Sequence, residues 1–163
     1  MVERRYWDSN CFLAWLQDEE DRADKCQDVL ALAERGEIEI VTSVLTITEV
    51  LRLRPRDALP SERRSTVEAL FNRPSIRTMM LTRRLAESAR DLAWDHGIAP
   101  KDSIHVASAL AANVGVFNTF DGPLIGKSGL VGNPPLTIEE PTVTEPELDL
   151  EQPAEDDEDP DSA

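Results

Sequence analysis

Residues 99–124, APKDSIHVASALAANVGVFNTFDGPL, constrain the fold more than any other stretch, because they read as a helix running directly into a buried strand. Pro100 stands where a first helical turn tolerates a missing N–H. Ile104, Ala107, Ala111 and Val114 then recur at helical spacing. The small side chains of Ala107, Ser108, Ala109, Ala111 and Ala112 let this helix lie close to a sheet. Residues 114–119 read as the strand. Asp102 falls in the first helical turn and Asp121 just past the strand, so the unit offers a carboxylate from each end. Each acid also has an ordinary explanation. Asp102 complements a helix dipole, and Asp121 is a turn residue before Gly122-Pro123.

The residues ahead of this unit repeat the alternation. Residues 5–7 read as a short strand, followed by Asp8-Ser9-Asn10 and a helix with Phe12, Trp15 and Leu16 on one face. Asp8 is either a helix cap or a carboxylate at the carboxyl end of a strand, where open α/β sheets bind ligands. Residues 18–28 are charge-rich and read as a loop entering a helix that carries Val29, Leu30, Leu32 and Ala33 and stops at Gly36. Residues 37–42 form a second strand, and Ser43 caps a helix over 44–53 with Val44, Ile47, Val50 and Leu51 as its buried face. Glu49 lies between Ile47 and Val50, so it cannot point fully to solvent unless that face is narrow. A further helix carries Val67, Leu70 and Phe71 and ends at Arg73-Pro74. Residues 75–81 read as a third strand. Thr82 caps a helix to His96 that turns Leu85, Ala89, Leu92 and Ala93 inward and stops at Gly97. After the helix–strand unit, 125–129 read as a loop and 136–138 as a last strand. Helices between short apolar strands point to a three-layer α/β sandwich, a parallel sheet of about five short strands flanked by helices.

Charge divides the chain unevenly. The net charge is −15, but residues 139–163 hold twelve acids and no base. Residues 52–101 carry eleven basic and six acidic side chains. The expected organisation is a folded domain over 1–138 and an acidic, disordered tail over 139–163, whose composition cannot offset the entropy of ordering. That tail either shields the basic middle or only solvates. No apolar run is long enough to span a bilayer and no secretory pattern opens the sequence. Cys11 and Cys26 have no metal spacing, so a reducing cytoplasm is expected.

In a parallel sheet Asp8, Glu49, Asp102 and Asp121 can converge on one edge. Four carboxylates in close company repel by roughly several kcal/mol per pair at intermediate dielectric. A hard divalent cation relieves that conflict, and Mg2+, with Mn2+ as a substitute, suits an all-oxygen site. A cation held this way activates water and steadies charge on a phosphoryl group, which is the chemistry of phosphodiester hydrolysis. No Walker loop, dinucleotide glycine pattern, Cys–His pair or Ser–His–Asp set offers another route.

Asp8-Ser9-Asn10, then Thr46-Ile47-Thr48-Glu49-Val50, then Lys101-Asp102-Ser103-Ile104-His105-Val106-Ala107, then Asn118-Thr119-Phe120-Asp121 together resemble a PIN domain, most of all the single-domain VapC-type toxins of toxin–antitoxin pairs. The resemblance covers residues 2–136 and omits the tail. It implies a metal-dependent ribonuclease on a five-stranded parallel sheet, a homodimer held inactive by a cognate antitoxin. It further implies that Asp8, Glu49, Asp102 and Asp121 form the acidic quartet that holds Mg2+, with Thr119 as the hydroxyl beside Asp121 and Asn10 accompanying Asp8. Many relatives carry another acid where Pro123 stands here, so the number of metal ions stays open. Single-stranded or looped RNA suits such a site, since its bases and backbone reach a compact cleft.

Two rival readings remain. A phosphatase using Asp8 as nucleophile needs an acid where Asn10 stands. A PIN-like module that binds RNA or a protein partner without catalysis keeps the fold alone. Trp7, Trp15 and Trp94 read as core rather than base-stacking platforms. His105 reads as structural more readily than as a site residue, since nothing in the sequence holds it as a base. Arg52, Arg54, Arg56, Arg63 and Arg64 form either a phosphate-binding cluster or a solvated face.

Overall fold

The computed structural model describes residues 2–51 and 58–143. Among them, five parallel strands form one sheet in the order β3-β2-β1-β4-β5. The strands are β1 (Glu3–Trp7), β2 (Ile38–Ser43), β3 (Ile76–Met79), β4 (Val116–Asn118) and β5 (Thr137–Glu139). The helices are α1 (Ser9–Leu16), α2 (Arg22–Glu34), α3 (Val44–Glu49), α4 (Arg64–Phe71), α5 (Arg83–His96), α6 (Pro100–Ala111) and α7 (Gly122–Ile125). The chain enters at the centre of the sheet, steps outward through β2 to β3, and then crosses back to add β4 and β5 on the other side of β1. Strand order therefore reverses between β1 and β4, where ligand crevices form at the carboxyl edge of such sheets.

Successive strand residues point to opposite faces, and here both faces are covered. Trp7 and Ile40 join Phe12, Leu13, Leu30 and Leu70 in one core, beneath α1, α2 and α4. Tyr6 and Val41 join Val106, Ala109, Phe117 and Ile138 in the other, beneath α6. Two-sided burial explains why β1 ends in two consecutive buried aromatics, Tyr6 and Trp7, and why every residue of β2 from Ile40 to Ser43 is buried. α5 packs on α6 through Leu85, Ala89 and Ala107, and its end is set by Gly97 in the left-handed region at φ 65°.

Several elements differ from the sequence reading. The charge-rich run is mostly helix: α2 begins at Arg22, because Ala23 and Cys26 are buried and extend its apolar face by two turns. α3 stops at Glu49. Its inward positions are Thr46 and, just beyond it, Val50, whereas Ile47 and Leu51 are exposed, so the expected apolar face is rotated. Residues 122–125 form a short helix, α7. Of the three tryptophans, Trp7 is fully buried, Trp15 is half-buried, and Trp94 is 76% exposed with Arg90 over its ring. The boundary drawn after residue 138 cuts β5, whose last residue is Glu139. Glu140 pairs with Lys25 at 2.6 Å, Arg5 donates to the Thr142 carbonyl, and Val143 packs on the first core. Arg52, Arg54 and Arg56, and the acidic residues from 145 onward, lie outside the described residues. Among the described residues no helix is long and apolar enough to cross a membrane.

Candidate active site

Each of the four acids nominated from sequence stands at the end of an element. Asp8 is the N-cap of α1, directly after β1, and accepts a hydrogen bond from the Cys11 backbone N–H at 3.4 Å. Glu49 is the last residue of α3. Asp102 lies in the first turn of α6. Asp121 is the N-cap of α7, three residues past β4. Parallel pairing of β1 with β4, Trp7 opposite Asn118, brings the two strand ends level.

Thr119 joins these ends. Its hydroxyl donates to Asp8 Oδ2 at 2.5 Å and accepts from the Asp121 backbone N–H at 3.1 Å. Thr119 is fully buried and Asp8 is only 4% exposed. Thr119→Val removes the short side-chain hydrogen bond to Asp8 while keeping the shape. The expected loss is about 1–3 kcal/mol of stability, the cost of stranding a buried polar group, read from urea denaturation. Unchanged stability would show that the bond contributes nothing.

The acids sense one another. Burial raises the Asp8 carboxyl from 3.8 to about 6, against the lowering influence of His105, the Thr119 hydroxyl and the Cys11 N–H, with Asp102 adding to the rise. Burial also raises Asp102, and the nearby charges of Asp121 and Glu49 push it further, against His105 and Lys101. Burial acts the same way on Glu49, but His105 and Lys101 outweigh it and hold that carboxyl below its ordinary value. Glu49 Oε1 lies 2.6 Å from His105 Nε2, and Oε2 lies 3.5 Å from Lys101 Nζ. A carboxylate only accepts, so His105 Nε2 carries the bridging proton. On its far side, His105 Nδ1 meets the Tyr6 hydroxyl at 2.7 Å.

Asp8, Thr119 and Asp121 are thus tied by hydrogen bonds, and Asp102 is coupled to three acids through charge. Asn10, half-buried in the first turn of α1, has no described hydrogen bond to any of them. Tyr6 and Lys101 were not singled out in sequence, and His105 was read there chiefly as structural. Lys101 stands next to Asp102 in the chain, which is the one local hint. The Tyr6 and His105 partnership spans 99 residues and left no local signal. A groove of about 710 Å3 between α5, α6 and the end of β3, lined by Met79, Leu85, Leu92 and Ala107, holds none of these groups.

Among the described residues, no three Asp, Glu, His or Cys side chains stand as a finished cage for a metal ion. The chemistry of the donors nonetheless fits a hard divalent cation. They are all carboxylate oxygens, and two of them are pushed toward protonation by burial and mutual repulsion, a strain that a cation relieves.

Asp8 and Asp121 stand at the carboxyl edge of a parallel α/β sheet where its strand order reverses. The PIN domain model matches residues 5–125, and the chain belongs to the PIN domain family. Solved structures share the fold. The toxin VapC20 of Mycobacterium tuberculosis, described as cleaving the sarcin–ricin loop, aligns at 17% identity over 72% of this chain and 90% of its own, with a TM-score of 0.56. VapBC2 of Rickettsia felis, bound to a DNA fragment from its promoter, aligns at 14% identity over 84% of this chain and 98% of the solved chain, with a TM-score of 0.58. FitAcB of Neisseria gonorrhoeae aligns at 16% over 84% and 97%, with a TM-score of 0.54. No curated protein sequence matches the chain significantly.

Proposed function

We propose that this chain is a metal-dependent endoribonuclease, the toxin component of a type II toxin–antitoxin pair. The observation that carries the reading is the joining of Asp8 and Asp121 through Thr119, with Asp102 coupled to both, where strand order reverses. Asp8, Glu49, Asp102 and Asp121 would hold Mg2+, with Mn2+ as a substitute. Such a cation supplies a water of lowered pKa and neutralises charge on the phosphoryl group. Thr119 orients Asp8 by its short hydrogen bond. Lys101, beside Glu49, supplies a cation at the rim where an RNA phosphate approaches.

The partners that fit this reading are single-stranded or looped RNA, a cognate antitoxin and a second copy of the chain, in the cytoplasm. Structures of toxin–antitoxin complexes with the same fold support the antitoxin. In this reading the nuclease unit includes residues up to Val143, which packs on the first core.

The test is RNA cleavage by the full chain, stripped of co-purified protein, in Mg2+, Mn2+ or EDTA, with Asp102→Asn alongside. Cleavage is expected only with metal, and the variant is expected to lose more than the about 10–100-fold that outer partners of a metal site cost. Cleavage that survives EDTA would end the metal reading. Thermal unfolding supplies a second readout, since saturation at a hundredfold excess over Kd adds about 2.7 kcal/mol of stability. Metal binding without cleavage of any RNA would favour the non-catalytic PIN-like module.

A further inference from the structure

His105 stands apart from an ordinary buried histidine, because both of its ring nitrogens are engaged by side chains rather than by core carbonyls. The ring is 2% exposed. Nδ1 is 2.7 Å from the Tyr6 hydroxyl, and Nε2 is 2.6 Å from Glu49 Oε1. Tyr6 is itself immobilised. It belongs to β1, the central strand of the sheet, and its ring stacks on Phe117 with centroids 4.8 Å apart. It also meets the His105 ring edge-on at 5.8 Å.

Glu49 needs such an anchor. It ends a helix of six residues whose buried member is Thr46, three positions back. Its own short helix therefore gives its side chain little support. The bond to His105 occupies Oε1 and leaves Oε2 facing Lys101, toward the rim. The line Tyr6–His105–Glu49 thus runs from the centre of the sheet to one edge of the acidic site. It operates in either charge state of the ring, since Nε2–H donates in both and the Tyr6 hydroxyl can donate or accept.

We propose that His105, clamped by Tyr6, is a positioning residue that fixes the Glu49 carboxylate for cation binding. The inference rests on the metal-dependent reading above. Hydrogen-bond partners of metal-binding side chains orient the donors, and their removal typically costs about 10–100-fold in metal affinity or activity.

The test is calorimetric titration of the full chain with MnCl2, comparing wild type with His105→Leu, His105→Gln and Tyr6→Phe. All four proteins carry the same acidic tail, so its contribution cancels in the comparison. His105→Leu is expected to weaken Mn2+ binding about 10–100-fold. His105→Gln, whose amide reaches toward Oε1, is expected to recover most of that loss. Tyr6→Phe is expected to fall between wild type and His105→Leu. Thermal unfolding of the metal-free proteins separates the two roles. A merely structural histidine would lower stability in both His105 variants and leave Mn2+ affinity untouched, which would overturn the proposal. If His105→Leu does not fold, Tyr6→Phe decides: an affinity equal to wild type overturns the clamp. Absence of Mn2+ binding by wild type itself would overturn the metal reading and this inference together. Equal binding by wild type and variants would overturn this inference alone.

Discussion

Asp8→Asn is expected to abolish RNA cleavage and yet raise the stability of the metal-free protein at neutral pH. The folded chain holds the Asp8 carboxyl at about 6, against 3.8 in its ordinary state. Between those values the folded protein keeps a proton that the unfolded chain releases. Stability therefore falls as pH rises from about 4 to about 6, and above that range the ionised, buried carboxylate costs roughly 3 kcal/mol. Asparagine keeps an acceptor for Thr119 or the Cys11 N–H and carries no charge. The gain should be full at pH 7.5 and absent below pH 4, in denaturation series run with EDTA (on the order of the window above). Saturating Mn2+ should reverse the order, since only wild type retains the full donor set. A variant less stable than wild type at pH 7.5, with no dependence on pH, would sink this account of Asp8.

The largest loss of stability is expected at Trp7. Its side chain is fully buried, its indole N–H donates to Asn118 Oδ1 at 3.2 Å, and its ring meets Phe12 edge-on at 5.2 Å. Trp7→Ala empties the middle of the first core and strands the Asn118 amide oxygen. The expected cost is about 3–5 kcal/mol, a large part of the about 5–15 kcal/mol that holds a domain folded. Trp94→Ala is the control. That ring is 76% exposed, and its loss should stay within about 0.5 kcal/mol. Urea midpoints measure both. Equal effects at the two positions would contradict the burial difference.

That contrast also marks what sequence can carry. Trp7 and Trp94 both sit in apolar periodic surroundings, and only the outward rotation of α5 tells them apart. The positions of Asp8, Asp102 and Asp121 at element ends were legible from strand and helix pattern, whereas Glu49 was read as mid-helix and instead ends α3. Thr119 was reached through family resemblance, and its bond to Asp8 required the register of β1 against β4. Glu49 was expected to avoid solvent, and its side chain is 10% exposed. The reason differs from the one expected. Ile47 and Leu51 turn outward, and His105, not an apolar face, draws Glu49 inward. The tie from Tyr6 to His105 depends on α6 crossing β1, which no local pattern encodes. The start of α2 was missed because two small buried residues, Ala23 and Cys26, outweigh a run of charges.

The central place of β1 bears on synthesis. This strand is made before its neighbour β4, so Arg5 pairs with Val116 and Asp8 meets the Thr119 hydroxyl only 111 residues later. Pairings so distant close late and slow folding. Until the segment through Asp121 has emerged, the nascent chain has Asp8 but lacks its partner strand, and the acidic cluster cannot assemble. Under the proposed function, an acidic site that needs both Asp8 and Asp121 forms only after β4 has been made.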